Sequence, residues 1–232
     1  MTFRMILATF ALLTAASGSA AEQRFSIGNF DELIVEGDII VNLETGKAPS
    51  AKAQGPSEKL GALRVERQGS VVRIRSAKLQ NGRRDTGPVT VTITGRDIKR
   101  LALIGSGKIS ANALEKDTLR IEMKGSGVIN VANLKAFKFV TMIAGNGTLN
   151  IANANVVNSD VAIDGGANFV SAGFTTQNLK LAQSGPASTL LTVTNIAEIN
   201  NSGTGNITVE GPGTCIIRKA GSAVINCKKV QG

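Results

Sequence analysis

Histidine, tryptophan and tyrosine are absent from the 232 residues, and this removes whole classes of function. Serine–histidine and cysteine–histidine catalysis cannot be assembled within the chain. Histidine-bearing zinc, copper and non-haem iron sites are excluded with them. Tryptophan and tyrosine, two of the usual aromatic platforms on which bases stack, are missing too. Only two cysteines and five prolines are present, the latter against 26 glycines, a turn-rich but not collagen-like balance. Beyond the first 21 residues no run of about 20 apolar residues occurs, so no transmembrane segment is expected in the mature chain. The 42% of hydrophobic residues is enough to build a core.

The chain opens MTFRMILATFALLTAASGSAAEQRF. Arg4 precedes an apolar run from Met5 to Ala16, and small residues follow from Ser17 to Ala21. This is the order of a secretory signal peptide, with cleavage expected after Ala20 or Ala21. A dozen apolar residues are too few to cross roughly 30 Å of hydrocarbon as a helix. Residues 1–21 are therefore read as a leader, and the mature protein as exported, to the periplasm or cell surface of a Gram-negative bacterium.

Net charge is +9, unevenly placed: −3 over residues 1–50, +8 over 51–100 and +4 over the rest. Within the basic stretch Arg64, Arg67, Arg73 and Arg75 alternate with apolar residues, as in Val72–Arg73–Ile74–Arg75. They form a candidate surface for anionic partners such as lipopolysaccharide. The same pattern also describes the solvated face of half-buried strands. Export argues against nucleic acid.

From Gly105 the sequence repeats itself. Copies begin GSGKISANAL at 105, GSGVINVANL at 125 and GNGTLNIANA at 145, with weaker ones at 165, 185, 203 and 221. The spacing is 20 residues four times and then 18 twice. A fixed period of this kind marks a solenoid. Apolar residues alternate with polar ones after each turn, with Ile109, Ile129, Leu149 and Phe169 in one column. Period two argues strand. Two or three short strands per repeat give a coil of parallel β-helix, with a bend expected near Asn112, Asn133 and Asn153 and glycine at tight corners. Residues 22–104 also read as strands, at Leu33–Leu43, Leu63–Arg67, Val71–Arg75, Val89–Thr94 and Ile98–Ile104, but less regularly. They are expected to be degenerate opening coils of one domain spanning residues 22–232.

The GSG and GNG turns followed by Ile/Leu–Asn/Ser resemble the auto-transporter adhesin head GIN domain family. The opening Phe30–Asp31–Glu32–Leu33–Ile34–Val35–Glu36–Gly37 and the pair Leu63–Arg64–Val65 and Val71–Val72–Arg73–Ile74 are similar to it as well. The resemblance implies a right-handed parallel β-helix in an exported bacterial protein, without catalytic residues to carry over. An autotransporter's outer-membrane barrel has no room in a chain of this length.

Parallel β-helices also host polysaccharide lyases and hydrolases, which require clustered carboxylates. Here Asp160 and Asp164 are too far apart in an extended chain to form a tight pair, and Glu122 falls under Met142 and Ala162, so no acid column forms. The expectation is a non-enzymatic binding or envelope module, with no catalytic or metal residues and no cofactor. Its partner is a glycan, lipopolysaccharide or an envelope protein. An outward column Ser110, Asn130, Asn150, Val170, Thr208 and Asn226 is a candidate contact face. The alternative is a β-helix-type lyase or hydrolase. Cys215 and Cys227, an even count in an oxidising compartment, are expected to form a disulfide at the last coil.

Overall fold

The computed structural model describes residues 21–77 and 87–231. All of the leader except Ala21 therefore lies outside the described residues, as do Lys78, Arg83 and Arg84. The opening half contributes strands β1 (Ala21–Phe25), β2 (Glu32–Glu36), β3 (Ile39–Thr45) and β4 (Ser50–Gly55). A short helix α1 (Ser57–Ala62) and strands β5 (Leu63–Gln68), β6 (Val71–Ser76), β7 (Val89–Gly95) and β8 (Arg100–Gly105) follow. The repeats supply β9 (Lys108–Gly125), β10 (Val128–Gly145), β11 (Thr148–Asp164) and β12 (Asn168–Ser184). The last are β13 (Ser188–Asn201), β14 (Asn206–Lys219) and β15 (Val224–Gln231). From β8 onward neighbours pair in parallel, forming a β-solenoid of about six turns.

One coil shows why. Along β10 the inward residues are Ile129, Val131, Leu134, Ala136, Phe139, Thr141 and Ile143. Strict alternation slips twice, where Ala132–Asn133 and Phe137–Lys138 are both exposed. The ladder between β9 and β10 skips Ala132 and Phe137. A doubled outward pair in a period-two pattern lets the chain turn while keeping its apolar side inward. Each coil therefore has three faces, here residues 128–131, 134–136 and 139–143, and closes at a Gly-rich corner. The bends foreseen near Asn112, Asn133 and Asn153 all coincide with the first of these corners. Asn133 and Asn153 are in register, but the partner of Asn133 in β9 is Ala113, so Asn112 is one residue out of line.

The Gly-rich corner explains the GSG and GNG copies. Gly105, Gly125 and Gly145 adopt φ of +117 to +119°, a region open to glycine. A Cβ on Gly125 would lie 2.5 Å from the carbonyl oxygen of Gly105 in the coil below. Like stacks on like inside. Ile109, Ile129 and Leu149 are in register and fully buried, and Phe169 is buried one coil further on. A second inner column runs Leu119, Phe139, Ser159, Leu179, Ala197 and Cys215.

The opening half departs from simple coil-on-coil order. The coil formed by β2 and β3 lies between β6–β7 and β8–β9, because β2 pairs with both β6 and β8, and β3 with both β7 and β9. Its corner is Gly37, which donates to Ile104 O (2.8 Å) and accepts from Gly107 N (2.9 Å). The coils thus stack out of chain order. Beneath them β1 pairs β4, β4 pairs β7 and β5 pairs β6, all antiparallel. These strands and α1, whose Leu60 and Ala62 are buried, close the core against water, as a solenoid's terminal unit must.

Candidate functional site

The outer side of the third face carries a groove of about 700 Å³. It exists because side chains that reach only to Cβ occupy outward positions. Met142, Ala162, Ala182, Asn200 and Arg218 stand in register, one per coil. With strands about 4.8 Å apart, the four steps span about 19 Å. Ala144 and Ala220 add to the apolar lining, and Asp164, Ser184, Ser202 and Lys219 complete the wall at the Gly-rich corner. Longer side chains flank the alanines on the other side, in the column Val140, Asp160, Lys180, Glu198 and Ile216.

The two ends of the groove differ in chemistry. Met142 is 48% exposed, an unusual state for so large an apolar side chain. At the other end Arg218 and Lys219 are exposed and form no ion pair among the described residues. Asp164 accepts a hydrogen bond from Ser184 Oγ (2.7 Å). Sequence reading missed this surface, since the alanines that make it sit in the outward phase of strands read for their inward columns.

Several of the carboxylates are held by cations. Below the groove, Glu122 receives Arg100 Nη2 at 2.8 Å and Nε at 3.2 Å, while Arg100 Nη1 reaches Glu32 at 3.0 Å. The hydrogen bond from Arg100 keeps the Glu122 carboxyl below its ordinary range despite partial burial. A general acid needs the opposite shift. Burial pushes Asp31 up, but the ion pair with Lys99 (2.9 Å) and a hydrogen bond from Ser70 together outweigh it and the net shift is downward. Asp160 is paired with Lys138 at 3.1 Å and Glu115 with Lys135 at 2.8 Å.

The four arginines do not share one surface. Arg64 lies opposite Arg75 and Glu66 opposite Arg73 across the β5–β6 hairpin, so Arg64, Arg73 and Arg75 project from one face. Arg73 is bound to Glu36, and Arg75 to Glu66 at 3.2 Å. Arg64 donates to the carbonyls of Gly61 (2.7 Å) and Leu63 (2.9 Å). Arg67 lies on the opposite side, its guanidinium over Gly28.

The outward column on the first face is in register from Ser110 through Asn130 to Asn150, and Asn150 Nδ2 donates to Asn130 Oδ1 at 2.9 Å. Val170 and Leu190 then interrupt its polarity. A second amide ladder, unforeseen because its spacing shifts from 20 to 17 residues, runs from Asn195 to Asn178 (2.8 Å) and from Asn178 to Asn158 (3.0 Å). Cys215 and Cys227 form a disulfide, Cα atoms 6.5 Å apart, that joins β14 to β15. Cys215 is fully buried on Ala197, and Cys227 stands over Val209. No helix among the described residues is long and apolar enough to cross a membrane.

The fold recurs in solved structures. A crystal structure described as a "putative adhesin" from Bacteroides fragilis NCTC 9343 matches with a TM-score of 0.83 at 17% identity, covering 90% of this chain and 97% of that one. A "putative adhesin" from Parabacteroides merdae ATCC 43184 matches at 0.69 with 19% identity, covering 90% and 96%. A "putative lipid binding protein" from Parabacteroides distasonis ATCC 8503 matches at 0.66 with 17% identity, covering 90% and 97%. A search of curated proteins finds no match. The model of one family, described as "Putative auto-transporter adhesin, head GIN domain", matches residues 29–213, and the chain belongs to that family.

Proposed function

We propose that this protein is an exported, non-enzymatic binding module of the bacterial envelope, adhesin-like as its family's description has it, and that the third-face groove holds an anionic amphiphile. The observation that carries this reading is the segregation inside the groove. Met142, Ala162 and Ala182 offer an apolar half, and Arg218 a cationic end, with Lys219 beside it in the chain at the edge of the groove. A saturated chain advances about 1.25 Å per carbon from a bond of about 1.5 Å, so some fifteen carbons match the length of the groove, of which about eight lie along the apolar half from Met142 to Ala182. Each buried methylene contributes about 0.8 kcal/mol, and an anionic group at Arg218 adds charge-assisted hydrogen bonds.

Lipopolysaccharide and phospholipids have this construction. The lipid-binding description of the Parabacteroides distasonis relative agrees with it. The leader-like residues 1–21 support export, to the periplasm or the outer surface, and a disulfide suits an oxidising compartment. Carboxylates bound to Arg100, Lys135 and Lys138 support a non-enzymatic role.

The test is calorimetric titration of the folded protein with lysophosphatidylglycerol bearing a 16-carbon chain. Saturable binding is expected, weakened about tenfold or more by Arg218→Glu with Lys219→Glu and by Ala182→Glu. The phosphocholine analogue of the same chain length should bind more weakly at low salt. No binding, or binding indifferent to both variants, would overturn the reading.

A further inference from the structure

We infer that the corner between the second and third faces carries a separate binding site for neutral pyranose sugars, centred on Phe137. Phe137 is 61% exposed, more than any other large hydrophobic side chain among the described residues. It occupies one of the two doubled outward positions of its coil, which is why the ring points to solvent. It does not stand alone on a convex surface, for it lines a hollow of about 450 Å³ with Glu115, Asp117, Lys135, Asn155 and Val157.

The partners of these polar groups are unequal. Glu115 and Lys135 neutralise one another at 2.8 Å, and the neighbouring Lys116 is bound to Asp97 at 2.9 Å. Asp117 and the Asn155 amide make no side-chain hydrogen bond or ion pair among the described residues. Asp117 lies one coil below the ring, about 4.8 Å away along the axis. Asn155 lies one coil above Lys135. An uncommitted carboxylate and an uncommitted amide thus flank an open aromatic face.

A pyranose has the matching construction. Its axial C–H groups form an apolar face that packs on an aromatic ring, whose electron-rich surface attracts them. Its hydroxyls project around the rim, where a carboxylate accepts and a carboxamide both donates and accepts. A few convergent polar groups around an apolar contact are what a small-molecule site requires. Glu115 and Lys135 cancel, as do Lys116 and Asp97, so Asp117, with no ion pair among the described residues, leaves the hollow one negative charge that repels an acidic sugar. That selects neutral hexoses, and the repeated coil offers successive residues of an oligosaccharide a surface along the axis.

The absence of tryptophan provides the assay. In the Phe137→Trp variant the indole is the sole such fluorophore, and its larger ring preserves stacking. Titration with neutral oligosaccharides of glucose, galactose and mannose is expected to change its emission with at least one of them. By calorimetry the wild type should bind that sugar, and Phe137→Ala and Asp117→Asn should each weaken binding about tenfold or more. Because Phe137 is exposed, Phe137→Ala should melt within a degree or two of wild type. The same variant should leave titration with 16-carbon lysophosphatidylglycerol unchanged, which separates this site from the groove. Binding of a neutral sugar that survives Phe137→Ala would overturn the inference, and so would silence of the wild type towards the whole panel at about 10 mM.

Discussion

Phe174 meets Phe169 edge-on inside the solenoid, their ring centroids 5.4 Å apart and their planes at 74°. Phe139 also packs against Phe174, their centroids 5.5 Å apart and their planes tilted at 52°. Three phenyl rings fit in a core of aliphatic columns because small residues lie beside them. Ser159 stacks on Phe139 and turns its hydroxyl to Thr176 Oγ1 at 2.9 Å. All three rings are fully buried. Phe174→Ala is expected to destabilise the protein by about 3–5 kcal/mol, read as a shift of the urea midpoint. A loss below about 1 kcal/mol would contradict the packing.

Glycine at the corner is a steric requirement. Gly125→Ala places a methyl 2.5 Å from the carbonyl oxygen of Gly105 at a backbone φ of +119°. A loss of about 2–4 kcal/mol is expected, since dihedral strain and backbone overlap add. Gly61→Ala is the control. It sits in α1 with nothing within 4 Å of the added carbon, and helix propensity favours alanine there by up to about 1 kcal/mol. Equal melting temperatures for the two variants would remove the corner argument.

Arg100 ties β2, β8 and β9 together through Glu32 and Glu122. Because Arg100 lowers the Glu122 pKa from its reference of 4.5, the pair's contribution is fully present above about pH 4.5 and is lost as pH falls through the folded-state value. The lowered Asp31 acts in the same direction. Thermal stability should therefore fall as the pH drops below about 4.5. Arg100→Ala should cost about 1–2 kcal/mol at pH 7, because two partly buried carboxylates lose their nearest cation and keep only Lys99 at 3.6 Å and Arg120 at 3.7 Å, and should flatten the acid limb. An unchanged acid limb in the variant would assign the drop to other groups.

The disulfide closes a segment 12 residues long. On the chain-entropy model a loop of this size is worth about 3 kcal/mol. Cys215→Ser with Cys227→Ser should lower the melting temperature by several degrees in non-reducing buffer. In reducing buffer wild type and variant should converge. Thiol titration of the denatured, unreduced wild type should find no free thiol.

The repeat, the parallel stacking and the inner columns were legible because a period of 20 residues and a period of two are both written in side-chain type. Ile109, Ile129 and Leu149 declare their register directly. The opening half was less legible. Gly37 occupies the same kind of corner as Gly105, but one corner alone shows no period, and nothing local says that β2 passes between β6 and β8. The six residues of α1 are too few for a helical period to show. The arginines read as one set were divided by the antiparallel β5–β6 pairing, which puts Arg67 on the opposite side from Arg73. The groove was hidden for a different reason. Ala162 and Ala182 are unremarkable as letters, and form a trough only because register sets them between Met142 and Arg218.

A single indole in the groove tests the central claim most directly. Met142→Trp places the protein's only tryptophan at the apolar end of the groove. Titration with 16-carbon lysophosphatidylglycerol should shift its emission to shorter wavelength and saturate at one ligand per chain. Adding Arg218→Glu and Lys219→Glu should move the midpoint about tenfold higher. An emission spectrum that stays at its solvent-exposed position throughout the titration would contradict the assignment of this groove as the site of an anionic amphiphile.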